Sequence, residues 1–175
     1  MRYVALLRGI NVGGKHKVEM KKLKSLCEHL GFVDVSTYIN SGNLLFNSSE
    51  NVDEVRKKLQ KVLAQEFDFE IPLLVKTEKQ IEKIANAIPE GWQNDTDYKV
   101  DVAYLFEGVD SKGIIDELPF KREFVDMRYV EGAVFWKVKR SEYNKSQLNK
   151  IIISKLYKGM TVRNVNTARK LAELG

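Results

Sequence analysis

Gly9, Gly14 and Lys15, in the stretch GINVGGKH, fill the glycine and lysine places of the phosphate-loop pattern G-x-x-x-x-G-K-[ST]. Such a loop cradles phosphates with backbone N–H groups, sets its lysine against the β- and γ-phosphates, and gives its last hydroxyl to Mg²⁺. Here the last place is His16, so the hydroxyl is missing. Helical spacing resumes only near Glu19 or Met20, too late to put Lys15 in the first turn of a helix. No apolar strand ends in an aspartate suited to metal. The stretch is therefore not a nucleoside-triphosphate loop. Gly9, Gly13 and Gly14 still permit a tight loop that exposes N–H groups, flanked by Arg8 and Lys15, and that chemistry suits an anion.

Two other clusters could do chemistry. The first is NSGN, Asn40, Ser41, Gly42 and Asn43. Ser41 could be a nucleophile, but no G-x-S-x-G elbow surrounds it and neither His16 nor His29 is an evident base, so a hairpin turn is expected, with both asparagines serving it. The second is Arg163, Asn164 and Thr167, expected to open the last helix. An asparagine cap explains Asn164, and an arginine beside free N–H groups also suits an anion. One cysteine and two histidines allow no disulfide and no zinc spacing, and no other metal or cofactor is implied. Cys27 lies on an apolar stripe with Leu23 and Leu30 and reads as core.

The leading functional expectation is a binding protein. Arg8, Asn11, Gly13, Gly14 and Lys15 would converge with the Asn40–Asn43 turn and with Arg163, Asn164 and Thr167 on one polar pocket between subdomains. The ligand would be a small anion, such as a nucleotide, or the phosphate of a nucleic acid. An enzyme of acyl or phosphoryl transfer, with Arg8, Lys15 and Arg163 stabilising developing charge, is the alternative, although no base stands out. A protein interaction module using the acidic middle of the chain is a third reading.

Periodicity shows which elements must position these residues. RYVALLR (2–8) reads as a strand, and Met20, Leu23, Leu26, Cys27 and Leu30 recur at helical spacing until Gly31. VDVSTYI (33–39) and NLLFN (43–47) read as strands around the NSG turn. Asn51 with Glu54 is a capping box for the next helix, and IPLLVK (71–76) closes the unit as a strand. The order β-α-β-β-α-β is the split pattern of ferredoxin-like folds. Thr77 and Gln80 form a second capping box, and EGWQNDTD (90–97) reads as a polar loop carrying Trp92 alone. YKVDVAYLF (98–106) is a strand, SKGIIDEL (111–118) a short helix, and EFVDMRYV with AVFWKVK a hairpin around Glu131-Gly132. KSQLNKIIISKLY (145–157) reads as one helix, and the tail as an extended piece with a last helix. The class is α+β: two ferredoxin-like α/β-sandwich subdomains with antiparallel sheets, residues 1–76 and 77–175, the second a partial echo of the first.

Charge is segregated. Residues 1–49 carry 7 Lys/Arg against 3 Asp/Glu, residues 50–136 carry 12 against 19, and residues 137–175 carry 10 against 2. Basic ends brought together would suit phosphate or nucleic acid, while solvated helix faces explain the same lysines equally well. No run approaches the roughly 20 apolar residues of a membrane span, and the N-terminus has no signal-peptide pattern. The expectation is a cytoplasmic protein without a membrane partner.

LLRGINVGGKHKVEMKKL, GFVDVSTYINSGNLLF and TVRNVNTARKL resemble the bacterial family DUF1697, a domain of unknown function, and the resemblance covers essentially the whole chain. It implies two ferredoxin-like parts and no agreed activity. Asn40 stands where members often carry glutamine, so the amide is kept. Ferredoxin-like sheets also occur in RNA-recognition domains, but those present alternating aromatics after a basic-Gly start, whereas these strands offer only Tyr3 and Phe46. Tyr3, Tyr38 and Phe46 are expected to pack against helices.

Overall fold

A computed structural model describes residues 1–175 as two compact units, Met1–Ile81 with Glu173–Gly175, and Glu82–Ala172. The first runs β1 (Arg2–Leu7), α1 (Met20–His29), β2 (Val33–Tyr38), β3 (Asn43–Asn47), α2 (Val52–Glu66) and β4 (Leu73–Thr77). Its sheet has the order β2-β3-β1-β4, and every neighbouring pair is antiparallel. That is the ferredoxin-like arrangement, and it removes the parallel frame a phosphate loop requires.

Alternation across β1 turns Tyr3, Ala5 and Leu7 to the side where Leu44 and Phe46 meet Leu23 and Cys27 of α1 and Val55, Leu59 and Leu63 of α2. Tyr3 and Phe46 are thus core residues: their rings lie 5.9 Å apart, Phe32 stacks on Phe46 at 4.5 Å, and the Tyr3 hydroxyl donates to the Glu50 carbonyl at 2.7 Å. No stacking platform for bases exists on this face. Val4, Leu6 and Leu45, pointing the other way, are also buried. Local signals hold the helices as expected. Asn51 accepts from Asp53 and Glu54 N–H while Glu54 reaches back to Asn51 N–H, and Thr77 and Gln80 bond reciprocally before α3 (Glu78–Ala87). Each such cap stabilises its helix by about 1 kcal/mol.

The rest of the chain runs β5 (Tyr98–Leu105), α4 (Ile114–Glu117), β6 (Val125–Val130), β7 (Ala133–Lys139), α5 (Tyr143–Ser146), β8 (Met160–Asn164) and α6 (Val165–Leu174). The second sheet has the order β6-β7-β5-β8, again antiparallel throughout. Numbered within its own half, it repeats the strand order of the first sheet. The extended piece of the tail, β8, completes the echo.

One expectation is corrected here. Residues 145–157 are not one helix. Gln147 is left-handed (φ 59) and ends α5, after which Leu148–Ile153 and Lys155–Gly159 form 3₁₀ turns separated by extended Ser154. Three successive β-branched isoleucines resist an α-helix, and a period of three turns Leu148 and Ile151 together into the core beside Trp136 and Met160. Trp92 lies in the polar loop as expected, and its ring is buried: only 8% exposed, it meets Phe135 edge-on at 6.0 Å and lies 5.4 Å beneath the Arg128 guanidinium.

Candidate functional site

Beyond β1 the chain must reverse within a few residues, and its glycines make that possible. Gly9, Asn11, Gly13, Gly14 and His16 all have positive φ, between 52° and 73°. Val12-Gly13-Gly14-Lys15 is a tight turn closed by Lys15 N–H on the Val12 carbonyl at 3.1 Å. Both central residues are left-handed, the type I′ geometry that glycine adopts without steric cost. His16, the residue that breaks the phosphate-loop pattern, stacks on Phe69 at 4.6 Å, with Nδ1 3.3 Å from the Gly9 carbonyl. Buried Ile10 and Val18 hold the loop from beneath.

Asn11 ties this loop to the second cluster. Its Nδ2 donates to the Val18 carbonyl at 2.9 Å and to the Asn40 carbonyl at 2.8 Å, and its Oδ1 accepts from Val18 N–H at 2.9 Å. Leu7 N–H donates to the Gly42 carbonyl at 2.8 Å, a second link between loop and turn. Within the turn, Asn43 is wholly buried and its Nδ2 donates to the Tyr38 carbonyl at 2.8 Å and to Ser41 Oγ at 3.0 Å. Ser41, Gly42 and Asn43 therefore build the turn. Ile39, β-branched and 47% exposed, is held at φ 50, a conformation such residues rarely adopt.

Loop, turn and the start of α1 enclose an open depression of about 570 Å³ lined by Asn11, Gly14, Lys17, Glu19, Lys21 and Asn40, with Val18 and Met20. Glu19, at the N-cap of α1, makes no side-chain capping bond, and the first turn of the helix carries no acidic residue. The positive end of the helix dipole thus opens into the depression beside two lysines. Asn11, Gly14 and Asn40 of the sequence-level site are brought together here. Arg8, half-buried with its N–H donating to the Pro72 carbonyl at 2.8 Å, and exposed Lys15 do not line it. Lys17, Glu19 and Lys21 were missed by motif reading. Their signal in the sequence was the basic excess of the first 49 residues and the absence of a Ser, Thr, Asp or Asn before Met20.

The third cluster belongs to the second unit. Arg163 stands inside β8 opposite Val102, only 7% exposed, and its Nη1 donates to Thr161 Oγ1 and to the Val162 carbonyl, both at 2.9 Å. Burial lowers its pKa to about 10, against an opposing effect of Tyr104. The Tyr104 hydroxyl is itself buried without a hydrogen-bond partner, and burial drives its pKa upward. Asn164 Oδ1 accepts from Thr167 N–H at 2.9 Å, the N-cap of α6, and Thr167 is buried. Cys27 is fully buried, which pushes its thiol up to about 12, as befits a core residue.

The chain belongs to the family described as a protein of unknown function, DUF1697, whose model matches residues 1–136. It is similar over nearly its whole length to the conserved bacterial protein SP0830 from Streptococcus pneumoniae. The identity is 28%, the TM-score 0.86, and the match covers 99% of this chain and 97% of that one. No curated protein matches the chain at a significant level.

Proposed function

We propose that this protein binds a small anionic ligand, a phosphate- or carboxylate-bearing molecule, in the depression of its first unit. One observation carries the reading: the uncapped start of α1 opens into the same hollow as Lys17 and Lys21. Unsatisfied N–H groups at a helix start bind anions through hydrogen bonds and the dipole together, and two ammonium groups add to that field. Gly14 supports the assignment, because nothing lies within 4 Å of where its Cβ would be, so a ligand can approach the backbone there. Asn11 and Asn40 line the same hollow. Glu19 selects against bulky polyanions by repulsion, so one compact anionic group is favoured over several.

Isothermal titration calorimetry with inorganic phosphate, pyrophosphate, a nucleoside triphosphate and a short oligonucleotide tests this. Saturable binding of at least one probe is expected. Lys17→Ala and Lys21→Ala should each weaken it by about 0.5–1 kcal/mol, the scale of exposed charge interactions, with Lys61→Ala on α2 as the inert control. Lys22 is unsuitable as a control, since it pairs with Glu66 at 3.3 Å and lies 4.9 Å over the Phe67 ring. Absence of saturable binding, or lysine variants that bind as wild type, would overturn the assignment. Turnover of pyrophosphate, the triphosphate or the oligonucleotide would make the protein an enzyme of phosphoryl transfer.

A further inference from the structure

Tyr143–Ala172 is the longest stretch of the chain without an acidic residue, and within it lie Lys145, Lys150, Lys155 and Lys158. All four are exposed and none makes an ion pair. Lys150 lies in the first of the two 3₁₀ turns, Leu148–Ile153, and Lys155 and Lys158 lie in the second, Lys155–Gly159. At three residues per turn, positions i and i+3 eclipse, so Leu148 and Ile151 face the core together while Lys150 and Ile153 face outward together. Ile152 and Ile153 are 64% and 85% exposed, and Ile153 is the most exposed large apolar side chain of the protein. An adjacent isoleucine pair held in water costs free energy that a lone surface residue does not, and it calls for an occupant.

We propose that this face docks on an anionic lipid surface. The isoleucine pair would enter the boundary between headgroups and acyl chains, while the lysines extend along it to anionic headgroups. Charge decides the occupant. Four unpaired lysines flank the isoleucine pair along a stretch of chain with no acidic residue; exposed Glu107, on the turn Glu107–Val109 that packs against Lys155–Gly159, is an acidic neighbour, and the excess of cations over it matches an anionic surface. A nucleic acid would satisfy the lysines but not the isoleucines. The segment is also set rigidly enough to present the pair: Lys150 N–H donates to Gln147, Ser154 N–H to Ile151 and Tyr157 N–H to Ser154 carbonyls at 3.0–3.1 Å, and Ser154 Oγ accepts from Leu156 N–H at 3.2 Å. These backbone groups are therefore satisfied before contact. No helix is long and apolar enough to cross a membrane, so the contact is interfacial.

Co-sedimentation with vesicles of pure phosphatidylcholine, and of phosphatidylcholine with roughly a third phosphatidylserine, tests the proposal at moderate salt. The wild type should bind the anionic vesicles and not the neutral ones. Ile152→Ser with Ile153→Ser should lower the partition coefficient at least tenfold. Lys150→Ala and Lys155→Ala should each lower it about fivefold. Because these side chains are exposed, circular dichroism and thermal midpoint should be unchanged, which separates lost docking from lost folding. Failure to bind anionic vesicles, equal binding to both kinds, or variants that bind as wild type would overturn it. So would concentration-dependent self-association in the ultracentrifuge that the double serine variant abolishes, since the face would then meet another copy of the protein.

Discussion

Gly42→Ala separates two costs that glycine avoids at once. Gly42 has φ 85, and a Cβ built there would sit 2.6 Å from Ile10 Cδ1 and 2.8 Å from Leu7 Cβ. The isoleucine tip could rotate, but Ile10 is buried, and the Leu7 Cβ is fixed to a central strand whose next N–H is spent on the Pro72 carbonyl. The turn or the strand must therefore move, straining the bond from Leu7 N–H to the Gly42 carbonyl. A left-handed alanine costs about 1–2 kcal/mol, and the stiffer unfolded chain returns about 0.4–1. Overpacking adds about 1–3 kcal/mol, so Gly42→Ala should destabilise by about 2–4 kcal/mol. Gly14→Ala has the same backbone problem, φ 73, with nothing within 4 Å, and should cost only about 1 kcal/mol. Urea unfolding followed by circular dichroism reads the difference as about 1 M in midpoint, with slopes unchanged. Equal midpoints for the two variants would refute the packing argument, leaving left-handed backbone as the whole effect.

Tyr104→Phe removes a buried hydroxyl that has no partner, so thermal unfolding should show an unchanged or higher midpoint, by up to about 1–2 kcal/mol in stability. A loss of more than about 1 kcal/mol would mean that the hydroxyl contributes a favourable interaction with neighbouring Arg163. Cys27 gives a pH test. Its native thiol titrates at about 12 against 9.0 in the unfolded chain, so between those values the unfolded state loses a proton that the native state keeps. Stability is intact below pH 9 and falls as pH rises above it, by about 1.4 kcal/mol from pH 8 to pH 10. Cys27→Ala should lose that much less over the same interval in denaturant titrations, and parallel curves for the two proteins would refute it.

Interactions that close within four residues are written in neighbouring letters, which is why the elements of the first unit were legible. The Asn51–Glu54 and Thr77–Gln80 boxes, the stop at Gly31 and the short apolar run of β1 are all of this kind. From those elements the split ferredoxin-like order followed, and the antiparallel β2-β3-β1-β4 sheet realises it. Short apolar runs were less legible. Leu148 and Ile151 fit a period of 3 and of 3.6 alike, and only the left-handed Gln147 and the core beside Trp136 select the 3₁₀ form. Arg163 carried a charge that pointed to a helix start, yet pairing with β5 places it in a buried strand. The depression was the least legible feature. It depends on the Asn11–Asn40 bond, between residues 29 apart in sequence, and on where α1 begins relative to the glycine turn. Such contacts arise from the packing of whole elements, where many small dispersion and burial terms add, and no single residue or spacing announces them.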